Sequence, residues 1–187
     1  RGGQLAAVLR DHGWNHQINT ATSTKANGLL LASRLPLTEQ TAPELRDSKV
    51  GQRWLECGIP EAQLTLAGLH IPCRGHATSR TSLWKHAVQR ARSSRHTPFV
   101  LLGDLNTGRN GIDAPARTFD CTQRLGELAA MRFTDAWRSL HPTEREGTWA
   151  GPLDQQHRID QAHLSEALAH RLVSARHDHA VIEEGLS

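Results

Sequence analysis

The sequence predicts a mixed α/β domain in which two packed β-sheets lie between outer helices. Three observations predict it. Apolar runs of strand length outnumber the segments with helical periodicity. Helical segments fall between some of those runs. The 187 residues suffice for one domain with a sizeable core and require no second. Strands and helices in this mixture bury their apolar faces most economically as stacked sheets covered by helices.

Each element follows from local pattern. "GGQLAAVLRDHGW" carries Leu5, Val8, Leu9 and His12 at helical spacing and stops at Gly13, an amphipathic helix. "NGLLLASRLPL" reads as a buried strand ended by the turn at Pro36. Residues 38 to 51 are polar and read as a loop. "QRWLECGI" and "AQLTLAGLHI" are strands separated by the turn at Pro60. In the second, alternation puts Leu64, Leu66, Gly68 and His70 on one face. "TSLWKHAVQRARSSRH" gives one apolar helical face of Leu83, Trp84, Ala87, Val88 and Ala91, with its basic residues opposite. That helix joins the His70 strand to the apolar run Phe99-Val100-Leu101-Leu102.

Residues 107 to 119 form a Gly- and Pro-containing loop, and "TQRLGELAAMRF" a short helix around Leu125 and Leu128. "TDAWRSLHP" adds a helical turn before Pro142. "HRIDQAHLS" alternates, so Asp160, Ala162 and Leu164 share a face, expected to be the inner one. "HDHAVIEE" sets Asp178 and His179 ahead of a short strand, Ala180-Val181-Ile182.

Composition narrows the function classes. No stretch approaches the ~20 apolar residues of a membrane-spanning helix, and no charged-then-apolar signal segment stands at the N-terminus. Three cysteines, Cys57, Cys73 and Cys121, without CxxC spacing suggest neither a disulfide framework nor a structural zinc site; a reducing cytoplasm is expected. The net charge is only +3, yet between Glu61 and Asp104 no acidic residue interrupts Arg74, His76, Arg80, Lys85, His86, Arg90, Arg92, Arg95 and His96. Such a block either attracts phosphate-bearing ligands or is a solvated helix face balanced by acids elsewhere in space.

Four polar signals each lie at an end of an apolar strand: His70; Asp104 with Asn106 in "GDLNTG"; Asp160 in "RID"; and Asp178-His179. Singly, each has an ordinary explanation. Gly, Asp and Asn make turns, Asp160 can pair with Arg158, His70 can be a satisfied core histidine, and Asp178-His179 can be a plain loop. A carboxylate aimed along a core face costs several kcal/mol unless paired, hydrogen-bonded or bound to metal, so the repetition points to one shared site.

"GDLN", "HRIDQAHLS" and "HDHAVI" in that order, with "GLLLASRLPL" and "GLHIP" ahead of them, resemble the endonuclease/exonuclease/phosphatase superfamily, the DNase I-like fold, over residues 1 to about 184. The resemblance implies a four-layer sandwich, two mostly antiparallel sheets flanked by helices. It also implies hydrolysis of phosphoester bonds with Mg²⁺ or Mn²⁺. On it, Asp104 orients or deprotonates the attacking water, and Asn106 binds the phosphate. Asp178 helps to hold the metal, directly or through water, with Asp104 and Asn106 facing the same shell. His179 contacts the scissile phosphate, and Asp160 fixes its tautomer.

The family's abasic-site repair nucleases carry a tyrosine where "GLHIP" ends, and this chain has no tyrosine. His70 is similar instead to the DNase I, deadenylase, sphingomyelinase and inositol-phosphatase branches, donating a proton toward the leaving oxygen or binding phosphate. Arg74 and Arg80 are expected to add phosphate contacts. Trp149 in "GTWAGP" either lines a substrate groove or packs in the core. "HDH" departs from the usual Ser-Asp-His, which leaves His177 without a role.

The superfamily opens with a strand ending in asparagine and a second strand whose Gln-Glu pair supplies the principal metal ligand. No residue from Arg1 to Trp14 replaces that glutamate, since Gln4 is neutral and Asp11 lies late on its helix. The chain therefore reads as a single domain, 1–187, lacking those first strands. The expected activity is that of a metal-dependent phosphodiesterase, a nuclease ahead of a phosphatase because of the basic block. The rivals are a non-catalytic nucleic-acid- or protein-binding module on the same fold and a phosphatase of small-molecule or lipid phosphoesters.

Overall fold

The computed structural model describes residues 2–21, 28–48, 50–115, 119–151 and 155–179. The chain runs α1 (Gly2–Asp11), β1 (His16–Asn19), β2 (Leu30–Ser33), β3 (Thr38–Glu39), α2 (Pro43–Arg46), β4 (Trp54–Ile59), β5 (Leu64–His70), α3 (Ala77–Ser94) and β6 (Phe99–Asp104). It continues with α4 (Thr122–Ala130), β7 (Thr134–Asp135), α5 (Ala136–Leu140), β8 (Trp149–Ala150), β9 (Gln156–His157), β10 (Asp160–Leu164) and α6 (Glu166–Ala169).

Six strands form one mixed sheet in the order β3-β4-β5-β6-β10-β7. Every pair in it is antiparallel except β5 with β6, which are parallel because α3 carries the chain back between them. The periodicity of α3 decides the packing. Leu83, Trp84, Ala87, Val88 and Ala91 all lie buried, and with Leu125 and Leu128 of α4 they cover Ala67, Leu69, Phe99 and Leu101 of the sheet.

On the opposite face β1 and β2 pair as a second, two-stranded sheet. Leu31 of β2 lies over Gly68 of β5, close enough that a Cβ there would sit 3.4 Å from its Cδ2. Helix α1 is tied to this hairpin by Gln17, whose side-chain amide donates to Ala6 O at 2.8 Å. Two sheets in contact with helices outside is the mixed α/β arrangement expected from the sequence.

Local differences have local reasons. Strand β1 has no strand signature of its own, "HQIN", and is extended because β2 supplies its hydrogen bonds. Within the stretch expected to be loop, β3 adds an edge to β4 and Pro43 starts the single turn α2. The expected strand Ala180–Ile182 and positions 49 and 116–118 of the two expected loops lie outside the described residues.

Strand β10 corrects one expectation in part. On the side where β2 lies Leu164 is buried but Asp160 and Ala162 are only half-buried, whereas on the other face Gln161 and His163 are both buried. That face accepts polar side chains because partners wait for them. Gln161 donates to Thr107 O at 2.7 Å, and His163 Nε2 meets Gln161 Oε1 at 3.0 Å.

Around them lies a buried network of two arginines and two aspartates. Arg158, 0% exposed, spans Asp113 (Nε to Oδ1, 2.8 Å) and Asp135 (Nη2 to Oδ2, 2.6 Å). Arg138 adds a 2.5 Å bond to Asp113 Oδ1. Trp137 lies against both guanidinium groups, 4.8 Å from that of Arg138 and 5.3 Å from that of Arg158.

Burial pushes the His163 imidazole down to about 4, against the pull of Asp135 and with the push of Arg158. The unfolded chain therefore binds a proton near pH 6.5 that the fold refuses until about pH 4, so stability falls as pH drops through that window. A shift of that size corresponds to about 3 kcal/mol. His163→Gln keeps a donor for Gln161 and is expected to flatten this part of the acid limb. Urea unfolding measured every half pH unit checks it, and an unchanged acid limb counts against a neutral buried His163.

Candidate active site

Three polar side chains end three adjacent strands in one row. His70 closes β5 opposite Asp104 of β6 in parallel register, and Asp160 opens β10 opposite Asp104 in antiparallel register. Alternation along β5 carries His70 to this row, as the sequence implies. Residues paired across strands on one face stand about 5 Å apart at Cβ, so the two carboxyl groups and the imidazole share one patch of surface.

Glycine makes the row possible. A Cβ on Gly103 would lie 2.0 Å from Leu69 O, and its φ of +138° is one that side-chain-bearing residues avoid. At Gly108 a Cβ would stand 2.6 Å from Phe119, 2.7 Å from Asp113 and 3.0 Å from Arg158 O. The glycines flanking "DLNT" thus let the segment lie against β5 and β10.

Between them Asp104 and Asn106 form a closed unit. Asn106 N donates to Asp104 Oδ1 at 2.8 Å, and Asn106 Nδ2 donates to Asp104 Oδ2 at 3.1 Å and to Ile71 O at 2.8 Å. Asn106 takes a left-handed φ of 45°, which asparagine tolerates better than most residues. Both hydrogens of its amide are committed inside the protein, so the side chain that the sequence expects at the phosphate holds the neighbouring carboxylate in place.

The Asp104 carboxyl is raised to about 6. Burial is the largest cause; the Asn106 N–H opposes it, the Asp160 carboxylate adds to it, and Arg53 and Arg80 oppose it. His70 is lowered from the ordinary imidazole value, first by burial and then by the charge of Arg53, with Asp160 pulling the other way. An acceptor poised near neutrality beside an imidazole is what proton removal from water requires.

Arg80, buried at the start of α3, donates from Nη2 to Asn106 O at 2.9 Å and pairs with Asp120 at 2.8 Å. Exposed Arg74 reaches the same carboxylate at 3.2 Å. The two arginines expected at phosphate therefore converge on Asp120, and Arg80 braces the Asn106 turn. Farther along α3, Arg90 is bound to Glu56 at 2.6 Å. The basic block is thus partly neutralised from elsewhere in the fold.

Trp149 is 46% exposed on the β8–β9 ribbon, its ring 5.4 Å from that of His157, so it does not pack in the core. Its neighbour Thr148 accepts from Ile159 N at 3.1 Å and from Asp160 N at 3.0 Å, joining this loop to the row. Two residues earlier, Glu146 Oε1 lies 2.6 Å from His179 Nε2 and 3.2 Å from His177 Nδ1. The sequence pairs His179 with Asp160; in the fold Glu146 is its carboxylate partner, and His177 shares it.

Asp178 stands between those histidines, on the same loop cluster. Among the described residues no group of three or more His, Cys, Asp or Glu is placed to hold a metal ion. Asp178 and Asp104, expected around one metal with Asn106, therefore belong to no such group, because Asn106 closes on Asp104 while the Asp178 loop is drawn to Glu146.

Arg53 was not legible as a site residue. It ends a 3₁₀ turn, Gly51–Arg53, and reaches His70 Nδ1 at 3.0 Å. Glu146 and Asp120 are equally silent in the sequence, since a lone acid in a polar loop carries no pattern. Between β2 and the row opens a cleft of about 320 Å³, walled by Leu30, Leu31 and Leu102 and floored by His70 and Asp104.

A family model, Endonuclease/Exonuclease/phosphatase family, matches residues 2–183. Among solved structures, a 3′ phosphatase (NExo) from Neisseria bound to a product DNA hairpin is 20% identical with a TM-score of 0.75, covering 95% of this chain and 76% of that one. A 3′-5′ exonuclease (NExo) from Neisseria meningitidis is 21% identical with a TM-score of 0.77, covering 95% and 77%. An AP endonuclease from Archaeoglobus fulgidus is 18% identical with a TM-score of 0.75, covering 92% and 75%. At these identities the likeness is one of fold. No match is found among curated proteins.

Proposed function

The chain belongs to the endonuclease/exonuclease/phosphatase family, and from that premise we propose that it hydrolyses phosphoesters, in the first place the phosphodiesters of nucleic acid. The observation that carries the proposal is Asp104: a carboxyl raised to about 6 at the centre of a row of polar strand ends, held at both oxygens by Asn106. Asp104 takes a proton from the attacking water. His70 offers a ring N–H to an oxygen beside it, and His179 is held by Glu146, two residues before the Thr148 hydroxyl that accepts from Asp160 N. A nucleic-acid substrate is supported by the neighbours, a 3′ phosphatase bound to a DNA hairpin and a 3′-5′ exonuclease. Exposed Trp149 offers a face on which a base can stack.

The described residues offer a hard divalent cation two carboxylates rather than a complete set of protein ligands. Asp104 and Asp160 are oxygen donors opposite one another, and the rise in the Asp104 carboxyl comes partly from Asp160, so the patch carries negative charge that a cation would relieve. Mg²⁺ and Mn²⁺ accept a shell of one or two carboxylates completed by water and phosphate oxygens, which suits this sparse donor set. Such an ion, when bound, supplies charge stabilisation to the phosphoryl oxygens. No helix among the described residues is long and apolar enough to cross a membrane.

Adding Mg²⁺ is expected to move the Asp104 titration from about 6 down toward the ordinary aspartate range. Carboxyl ¹³C chemical shifts followed from acid to neutral pH measure this without any turnover. Activity is tested with a 3′-phosphorylated oligonucleotide and a single-stranded DNA in Mg²⁺. Salt-sensitive DNA binding without product would instead support the binding-module reading.

A further inference from the structure

The stretch Leu172 to Asp178 belongs to no helix or strand, so side chains must hold it to the rest of the fold. From Val173 to His179 only Ala175 and His177 are not exposed, and the His177 side chain is 17% exposed. Its imidazole lies 5.1 Å from the Trp137 ring, centroid to centroid, with 35° between the planes. Its Nδ1 lies 3.2 Å from Glu146 Oε1, the oxygen that is 2.6 Å from His179 Nε2. Two residues upstream, Ala175 O meets His141 Nε2 at 3.3 Å, and the His141 ring stacks on the same Trp137 at 4.7 Å.

Trp137 is a fixed platform for these rings. It is buried on α5, whose preceding Asp135 accepts from Arg138 N at 3.1 Å, and the guanidinium groups of Arg138 and Arg158 lie against its indole. Both guanidinium groups are bound to Asp113, and Arg158 stands two residues before Asp160 at the start of β10. A series of contacts thus runs from the base of β10 through Arg158 and Trp137 to His177, and Asp178 and His179 follow in the chain. The His179–Glu146 pair does not suffice in its place. Its histidine is exposed, and an exposed ion pair fixes little. A ring packed on a buried indole excludes water and has a preferred geometry.

We propose that His177 is a positioning residue whose ring, packed against Trp137 and beside Glu146, seats the loop that carries Asp178 and His179. The seating stands on these contacts; its effect on turnover rests on the phosphoesterase function proposed above, in which His179 meets the phosphate. His177 touches neither substrate nor metal in this arrangement. It acts through the two residues that follow it, which gives a role to the histidine that the "HDH" motif leaves without one.

The test uses the full chain with His177→Ala, which removes the ring, and His177→Phe, which restores a ring without a nitrogen for Glu146. Amide ¹⁵N relaxation is expected to give Asp178 and His179 order parameters near the rigid value of about 0.85 in the wild type and in His177→Phe, and below about 0.6 in His177→Ala. On a phosphodiester with Mg²⁺, kcat is expected to fall roughly ten- to hundredfold in His177→Ala, the scale of a small misplacement of a reacting group. KM should stay within about twofold, and His177→Phe should recover most of the loss. Unchanged order or unchanged turnover in His177→Ala overturns the proposal, as does a loop that stays loose in His177→Phe. So does a rise in KM with kcat unchanged, which would make His177 a substrate contact. A wild type that hydrolyses nothing counts against the proposed function, while the relaxation data still decide whether His177 seats the loop.

Discussion

Asp104→Asn is expected to lower phosphodiester turnover by about a thousandfold or more and, in metal-free buffer near neutral pH, to make the protein more stable. The first effect follows from its role, since an amide cannot take a proton from water. The second follows from its surroundings. A carboxyl at about 6 in the fold and 3.8 when unfolded binds its proton more readily folded, so stability declines as pH rises from about 4 to about 6. The side chain is 30% exposed, and after discounting for solvent the gain from removing the charge is about 1–2 kcal/mol. Asparagine still accepts from Asn106 N, so the turn survives, while its own amide nitrogen meets Asn106 Nδ2 donor to donor and offsets part of that gain. Steady-state rates and thermal unfolding on the same preparation check both. Undiminished turnover removes Asp104 from the mechanism, and a loss of stability would mean that its charge is compensated.

The buried network predicts the largest effect on folding. Arg158→Met takes the cation from between two aspartates that are almost fully buried, and is expected to destabilise the protein by about 3–5 kcal/mol, because what remains is uncompensated negative charge. Burial by itself would raise both carboxyl groups, but hydrogen bonds and charge from Arg158 outweigh it and hold Asp113 and Asp135 below the usual carboxylate range. Carboxyls depressed in the fold stabilise it above the unfolded value of 3.8, and that contribution is lost as pH falls through their folded values. In the variant the loss should therefore appear at neutral pH and shrink in acid. Arg158→Lys should recover little, since an ammonium cannot span both carboxylates. Denaturant midpoints at neutral and acid pH decide it, with Trp137 as the fluorescent reporter against the two guanidinium groups. Arg158 also precedes Asp160 by two residues, so its loss should disturb the site as well.

Much of the architecture is written in period and punctuation. Helix α3 and strands β5 and β6 are legible because one face of each is apolar at the spacing its backbone demands, and the α3 crossover then fixes β5 and β6 as parallel neighbours. Strand β1 and the edge strand β3 are not legible, because their extended form comes from a partner strand rather than from their own residues. On β10 the period of two is visible, but which face is the more buried depends on Arg158, Asp113 and Asp135, which come from three distant stretches of chain.

The site divides along the same line. The sequence alone determined that His70, Asp104 and Asp160 end strands, that glycines flank Asp104 and Asn106, and that the chain carries the motifs of its family, since strand alternation and turn chemistry act between near neighbours. The tertiary structure alone decided that Asn106 ties its amide to Ile71 O, that Arg80 and Arg74 converge on Asp120, that Glu146 is the partner of His179, and that Arg53 faces His70. Those pairings follow from strand register and from where loops cross, and a hydrogen bond between residues tens of positions apart leaves no periodic trace in the chain that makes it.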